Sequence, residues 1–495
     1  MSSGDSPWGS EWILLVGIVI LAVYWLRGPK VISKLPVATG GHWLVGHLKN
    51  LMGVDGLEYQ GRIFSKYGPT VMLKGLMRSP VIFSIDPAVI HSVQSKEKDK
   101  FHRPNGPTIM IWAVFGGGLF ALSATKSRVQ YEVPAGNTVL FILDWSLILF
   151  GLFIQMPIFL GVAKETTSII KKDLEFSSSS KEVDIFPWTT AAALDLIGEA
   201  GLGYSFNSFS GQRDEYSTAI KKAKQSLAKL APLIQLLPYV HRIGTSGFRQ
   251  WIMDIIPSST IQKLRRATKV QNEQAEEIIR ARQELLSAGK DLSSETGRGK
   301  DIMTLLIKAR ESEGAESYID RQSTIGHMNI FIFAGHEPMK YSLEGKQINM
   351  VIILDDSASI TRILDLLAQH TSIQDRLREE LRHYFESNRD EVHYDALLEL
   401  PYLDGIVRES LRLFPPVSNI PRVCVEDTIL SLDCPIDTPS GRVTSVPVKK
   451  GTMVFLNNVH FNRNKAIWGE RANDFLPERW MEKKIDEVTE APTHV

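Results

Sequence analysis

Few residues in this 495-residue chain combine a reactive type with an informative spacing. The clearest are in DGIVRESLRLFPPV, where Glu409 and Arg412 stand three apart on an apolar helical pattern that ends at Pro415-Pro416. At that spacing both side chains fall on one helix face. Such pairs are ordinarily solvated. Here Val407, Leu411 and Leu413 leave little polar face around them, which predicts burial. A buried Glu–Arg pair must be almost fully hydrogen-bonded, because losing one partner costs about 3–5 kcal/mol. A second arginine with a planar, bidentate fork would complete such a network. Arg479, in FLPERW, is the candidate.

Other chemistries find less support. Cys424 and Cys434 are the chain's two cysteines and fall in β-like segments, where a buried structural thiol is the natural reading. So few cysteines argue against a disulfide framework and suit a cytosol-facing protein. His42 and His47, in GGHWLVGHL, have no acidic or cysteine partner nearby and read as loop residues. FGGGLF lacks the Lys-Ser/Thr of a phosphate-binding loop, and no Gly-x-Ser-x-Gly element supports acyl transfer. A formal net charge of zero gives no bulk attraction for nucleic acid.

The elements that must carry these residues are mostly helical. Residues 71–95 predict two short strands and a helix capped at Asp86-Pro87. TTAAALDLIGEAGLGYSF (189–206) predicts a helix ended by glycine, and 261–289 a long amphipathic helix. Residues 359–385 predict two more helices, and short β segments begin after residue 420. The expected fold class is mainly α with small β-sheets (α+β).

Two apolar runs bear on targeting. Residues 12–26 are apolar, with Trp12, Tyr24 and Trp25 at the ends and Arg27, Lys30 and Lys34 beyond. A basic flank after the run predicts a retained single-pass anchor with the bulk of the chain in the cytosol. Residues 138–162 form a longer apolar run with one charge, Asp144, but soluble-looking sequence flanks them on both sides.

With ESLRLFPPV (409–417), IPRVCVEDTIL (420–430) and VPVKKGTMVFLNNVHFNRNKAIWGERANDFLPERW (446–480) in this order, the chain resembles the cytochrome P450 haem-thiolate monooxygenases in their microsomal, fungal form. GGHWLVGHLKNL and ALDLIGEAGLGYSF resemble the same family. The resemblance implies a cytochrome P450 fold and a haem cofactor. It implies insertion of one oxygen atom from dioxygen into a hydrophobic small molecule, with an NADPH-dependent flavoprotein reductase as electron donor. It makes Glu409, Arg412 and Arg479 a structural triad, and Arg422 a contact to a haem propionate. Ala334, Gly335 and Glu337 match the family's oxygen-activation motif, which is interrupted here because Pro338 stands where its threonine is expected. Substrate contacts are expected near Ile332, Phe333 and residues 417–421.

The resemblance also divides the chain. Residues 1–30 are expected to be a membrane anchor (helix about 12–26) and 31–495 a P450-like domain. Segments of about 129–160 and 338–356 break the family pattern, and the family's Trp-x-x-x-Arg is missing at the first, where Leu149 follows Trp145 by four. These segments read as translated intron or mis-joined exon. The sequence as written stops before the family's Phe-x-x-Gly-x-Arg-x-Cys loop, so no metal ligand is assigned. The expectations are therefore a membrane-lipid-associated enzyme of the endoplasmic reticulum or, alternatively, an inactive pseudoenzyme or the product of a faulty gene model.

Overall fold

The computed structural model describes residues 35–51, 53, 55–115, 156–175, 183–210, 215–234, 237, 243–288, 304, 321–336, 342–343, 346–347, 356–388, 392, 394–438 and 441–481. Both apolar runs are largely outside this set: residues 12–26 entirely, and 138–162 except for 156–162. Among the described residues no helix is long and apolar enough to cross a membrane. Most of segment 129–160, and of 338–356, is likewise outside it.

The described elements are predominantly helical. In chain order the main helices are α1 (Gly56–Tyr67), α2 (Asn105–Phe115), α3 (Met156–Glu175), α4 (Phe186–Leu196), α5 (Glu215–Ile234), α6 (Ser246–Ile255), α7 (Ser259–Ser287), α8 (Arg321–His336), α9 (Asp356–Gln369), α10 (Thr371–Asn388) and α11 (Pro401–Leu413). The strands are β1 (Thr70–Lys74), β2 (Pro80–Ser84), β3 (Phe101–His102), β4 (Ser342–Leu343), β5 (Lys346–Gln347), β6 (Asn419–Cys424), β7 (Thr428–Thr438), β8 (Gly441–Val448) and β9 (Met453–Asn457).

A five-stranded sheet runs in the order β1-β2-β9-β6-β3, with the β2–β9 pair parallel and the other pairs antiparallel. The central strands read as nearly continuous apolar runs, VIF in β2 and VFL in β9, because both of their faces are covered. The β7–β8 hairpin instead alternates buried and exposed residues, as a one-sided sheet must, and its pairing is irregular between Ser431 and Ile436.

Asp86 carries out its expected capping role, accepting from Ala88 N and Val89 N at the start of the short helix Pro87–His91. Its carboxylate also accepts from Asp433 N and Cys434 N, pinning that helix to β7.

The largest helical core gathers around α8. Every described residue from Thr324 to Ile330 on this helix is buried, so α8 is surrounded on all sides, as a central helix is. Ile325, Met328, Ile330 and Ile332 pack with Val114 and Phe115 of α2, Ala223 and Leu227 of α5, and Ala275 and Ile279 of α7. Buried amides fasten this contact. Asn329 Nδ2 donates to Phe115 O at 3.1 Å and to Asn272 Oδ1 at 2.8 Å, and Gln271 Nε2 donates to Val114 O. They satisfy two terminal carbonyls of α2 that the helix itself leaves unpaired.

Candidate functional site

Helix α11 sets the geometry of the charged cluster. It begins with Pro401 in its first turn, where a missing N–H costs nothing. Glu380 of α10 supplies the N-terminal cap, its two oxygens accepting from Tyr402 N and Leu403 N at 2.9 Å each. Gly405 then lets the backbone of Pro477 approach closely, since a Cβ there would lie 2.6 Å from Pro477 O. The face below buries Ile406, Glu409, Ser410, Arg412 and Leu413. Leu411, read from the sequence as part of the apolar surround, is 37% exposed. The helix turns it outward; the apolar packing of the buried face comes instead from Leu366, Leu367, Leu377 and Phe475, and the pair's polar partners lie fifty or more residues later.

Glu409 and Arg412 meet in a bidentate pair, with Nε to Oε2 at 2.7 Å and Nη2 to Oε1 at 2.8 Å. Both side chains are essentially inaccessible to water. Arg479 Nε reaches Oε1 at 3.4 Å, Leu476 N donates to Oε1 at 3.1 Å, and Trp480 Nε1 donates to Oε2 at 2.9 Å. The remaining donors of Arg412 go to the carbonyls of Asn462, Ala472 and Asp474, at 2.5, 2.7 and 3.3 Å. Those of Arg479 go to Trp468 O and Arg471 O. One carboxylate thus faces two guanidiniums. Five backbone carbonyls, and the Trp468 ring 4.9 Å from the Arg412 guanidinium carbon, carry the excess positive charge. Trp480 and Leu476 escape a search for charged motifs, although Trp480 is the last residue of FLPERW.

Arg422 lies apart from this cluster. On β6 it pairs across the sheet with Val454 of β9. Its side chain is half-buried, and its one hydrogen bond goes to the adjacent carbonyl, Pro421 O, at 3.0 Å. Among the described residues no carboxylate pairs with it. Burial, and then the nearby charge of Arg103, lower its affinity for its proton. A partly desolvated guanidinium without a counter-ion is costly, and its donor fork matches a carboxylate. This donor set fits an anionic group such as a haem propionate.

Ala334 and Gly335 lie in the last turn of α8, which runs to His336, while Glu337 is outside the described residues. Ile332, expected near the substrate, is fully buried in the core around α8. Of residues 417–421, Asn419 is buried and accepts from Asn457 Nδ2 at 2.7 Å. Cys424 and Cys434 lie in β6 and β7. Burial pushes the Cys434 thiol up to about 11 and also raises that of Cys424. Among the described residues no group of three His, Cys, Asp or Glu side chains could hold a metal. His47 lies in a turn, as read, but is fully buried there, and its Nδ1 meets Tyr59 Oη at 2.5 Å.

Sequence reasoning also passed over Asp195, in the apolar run ALDLIG of α4. It is 4% exposed and accepts from both the N–H and the hydroxyl of Ser208, and burial pushes its carboxyl up to about 6.

A central helix buried among other helices, a small mixed sheet, and a buried carboxylate held between two arginines define a mainly helical scaffold with small sheets. The comparisons with known proteins make this specific. The family model for cytochrome P450 matches residues 36–345 and 356–493. Cytochrome P450 monooxygenase 91 of Postia placenta is 30% identical over 98% of this chain and 83% of its own length. The ganoderic acid synthetase of Ganoderma lucidum is 28% identical over 94% and 81%, and a cytochrome P450 monooxygenase of Hericium erinaceus is 27% identical over 94% and 82%. The chain belongs to the cytochrome P450 family, whose members are haem-dependent monooxygenases that take electrons from a redox partner and act on hydrophobic substrates.

Proposed function

We propose that this chain is a membrane-associated monooxygenase that oxygenates a hydrophobic small molecule, with an NADPH-dependent flavoprotein reductase as its electron donor. Arg422 carries the reading: it is a partly desolvated cation, and no described side chain neutralises it. Haem, when bound, supplies the activation of dioxygen and the oxygen-atom transfer. The chain supplies the rest. Arg422 would hold a propionate through its guanidinium N–H groups. Glu409, Arg412 and Arg479 keep α11 and the segment 462–480 in fixed register with each other. The apolar core around α8 excludes water from the helix bearing Ala334 and Gly335. Glu337, next in sequence, is the group that would pass protons there.

Two features support association with membrane lipid, and through it placement at the endoplasmic reticulum with a cytosolic catalytic domain. The first is the apolar run 12–26 with its basic exit. The second is α6, which exposes Phe248, Trp251 and Ile255 on one face. A reduced carbon monoxide difference spectrum of the purified full-length chain tests the catalytic reading. The absorption shift of a thiolate-ligated haem supports it. A spectrum without that shift from haem-reconstituted protein would favour the inactive alternative.

A further inference from the structure

We infer that the groove between α1 and the short helix Asn458–Phe461 binds an oxyanion that carries a proton, inorganic phosphate being the simplest, and that His460 accepts the ligand's O–H. The groove has a volume of about 530 Å³, within the range of small-molecule sites. Glu58, Gly61, Arg62, Ser65 and Lys66 of α1 line it together with His460. It shares no residue with the charged cluster around Glu409 or with Arg422.

A chain of amides fixes which nitrogen of His460 carries the hydrogen. Gln60 Nε2 donates to Leu51 O at 3.1 Å, so Gln60 Oε1 is an acceptor. Asn457 Nδ2 donates to that oxygen at 2.6 Å and to Asn419 Oδ1 at 2.7 Å. Asn457 Oδ1 in turn accepts from His460 N at 2.8 Å and meets His460 Nδ1 at 2.9 Å. Nδ1 therefore holds the hydrogen, and the neutral ring presents a lone pair at Nε2. Burial, and then the charge of Arg463, push His460 down to about 4, which keeps the ring neutral near physiological pH. Among the described residues nothing donates to Nε2.

Gly61 faces that nitrogen. A Cβ there would lie 3.1 Å from His460 Nε2 and 3.7 Å from its Cδ2. Glycine weakens a helix interior relative to alanine, and here the missing side chain leaves Nε2 uncovered. Arg62 is engaged by Glu58 at 2.5 Å. No described carboxylate pairs with Lys66, whose Nζ lies 5.2 Å from the centre of the Tyr67 ring. Lys66 thus draws an anion into the groove, and the Ser65 hydroxyl donates to it. Nε2 can only accept, so it selects an anion that still has a hydrogen to give. Hydrogenphosphate has one. Sulfate, with the same charge and shape, has none.

The test is isothermal titration calorimetry of the full-length chain with sodium phosphate and with sodium sulfate, slightly above neutral pH and at constant ionic strength. The readout is the ratio of the two affinities within each protein, so a loss of stability or of general charge attraction, which weakens both anions, cancels. The unsubstituted chain is expected to favour phosphate about tenfold, the size of one hydrogen bond to a charged group. His460→Asn keeps a donor for Asn457 Oδ1 and removes the second ring nitrogen, and should bring the ratio to about one. Gly61→Ala keeps His460 and favours the helix but covers Nε2, and should lower the ratio as well. Lys66→Gln should weaken both anions and leave the ratio unchanged. Equal affinity for the two anions in the unsubstituted chain, or no binding of phosphate, overturns the proposal. A preference for phosphate that survives His460→Asn overturns it too.

Discussion

Arg412 grips Glu409 with two parallel hydrogen bonds, of 2.7 and 2.8 Å, from within the same helix, three residues away. Neither group has access to water. The pair therefore acts as a rigid bracket: Glu409 receives Leu476, Arg479 and Trp480, and Arg412 holds the carbonyls of Asn462, Ala472 and Asp474. Glu409→Gln leaves two buried guanidiniums without their counter-charge, and a loss of about 3–5 kcal/mol is expected in urea unfolding. The double variant Glu409→Leu/Arg412→Leu should lose less than the sum of the two single variants, since it removes the Arg412 charge together with the carboxylate it pairs with, although Arg479 still loses its counter-charge. It should not recover fully, because Arg479, Leu476 N–H and the Trp480 indole lose their acceptor and three carbonyls lose their donor. Strict additivity would show that the pair carries no coupling.

Gly405 offers a sharper geometric test. A Cβ at this position would sit 2.6 Å from Pro477 O, a backbone atom with no easy escape. Gly405→Ala is expected to destabilise by about 1–3 kcal/mol, as overpacking does. Gly161, on exposed α3, has nothing within 4 Å of its virtual Cβ. Gly161→Ala should be neutral or stabilising by up to about 1 kcal/mol. Equal effects at the two sites would remove the close approach of Pro477 as the reason for glycine at 405.

These relationships show how far the chain could be read in one dimension. The Asp86-Pro87 cap and the helix face carrying Glu409 and Arg412 follow from local spacing, because caps and helix faces are set by residues a few positions apart; Arg479, remote in sequence, was a candidate only as a second arginine able to complete the network. Trp480 and Leu476 do not, since an indole or a backbone N–H acting as a donor has no charged signature. The proximity of Arg103 to Arg422 was also hidden. It depends on the pairing of β3 with β6, strands more than three hundred residues apart, which no local periodicity encodes. Leu411 shows the converse error: an apolar residue beside a buried pair still points outward when the helix phase puts it there.

Asp195 gives a pH-dependent prediction. Burial pushes its carboxyl up to about 6; the N–H and hydroxyl of Ser208 oppose that shift, and the charges of Glu199 and Glu165 add to it. In the unfolded chain an aspartate titrates near ~3.9. Between that value and about 6 the folded chain holds a proton that the unfolded chain has released, so stability falls as pH rises through this window and stays reduced above it. A shift of this size corresponds to about 3 kcal/mol. Asp195→Asn keeps an acceptor for Ser208 N–H and removes the charge. It is expected to be more stable than the unsubstituted chain near pH ~8 and to lose that advantage below pH ~4. Urea midpoints at the two pH values measure it. A difference independent of pH would mean that the carboxyl does not titrate in this window.

The exposed face of α6 carries the last prediction. Phe248, Trp251 and Ile255 follow a spacing of three and four along the helix, which places them on one side, and they are 43%, 56% and 56% exposed. Phe248 and Trp251 stack, with ring centroids 5.9 Å apart, so the face is a preformed apolar ridge rather than scattered side chains. Burying one such side chain is worth about 1.5–3 kcal/mol, enough for the ridge to enter the interfacial layer of a bilayer, where indole rings are favoured. On lipid vesicles carrying brominated acyl chains, the Trp251 emission of the full-length chain should be quenched by shallow bromine labels. Trp251→Phe should remove that quenched component while leaving sedimentation with the vesicles unchanged, since a phenyl ring keeps most of the apolar area. Equal quenching in both proteins would place Trp251 in water and leave the N-terminal run as the sole support for membrane association.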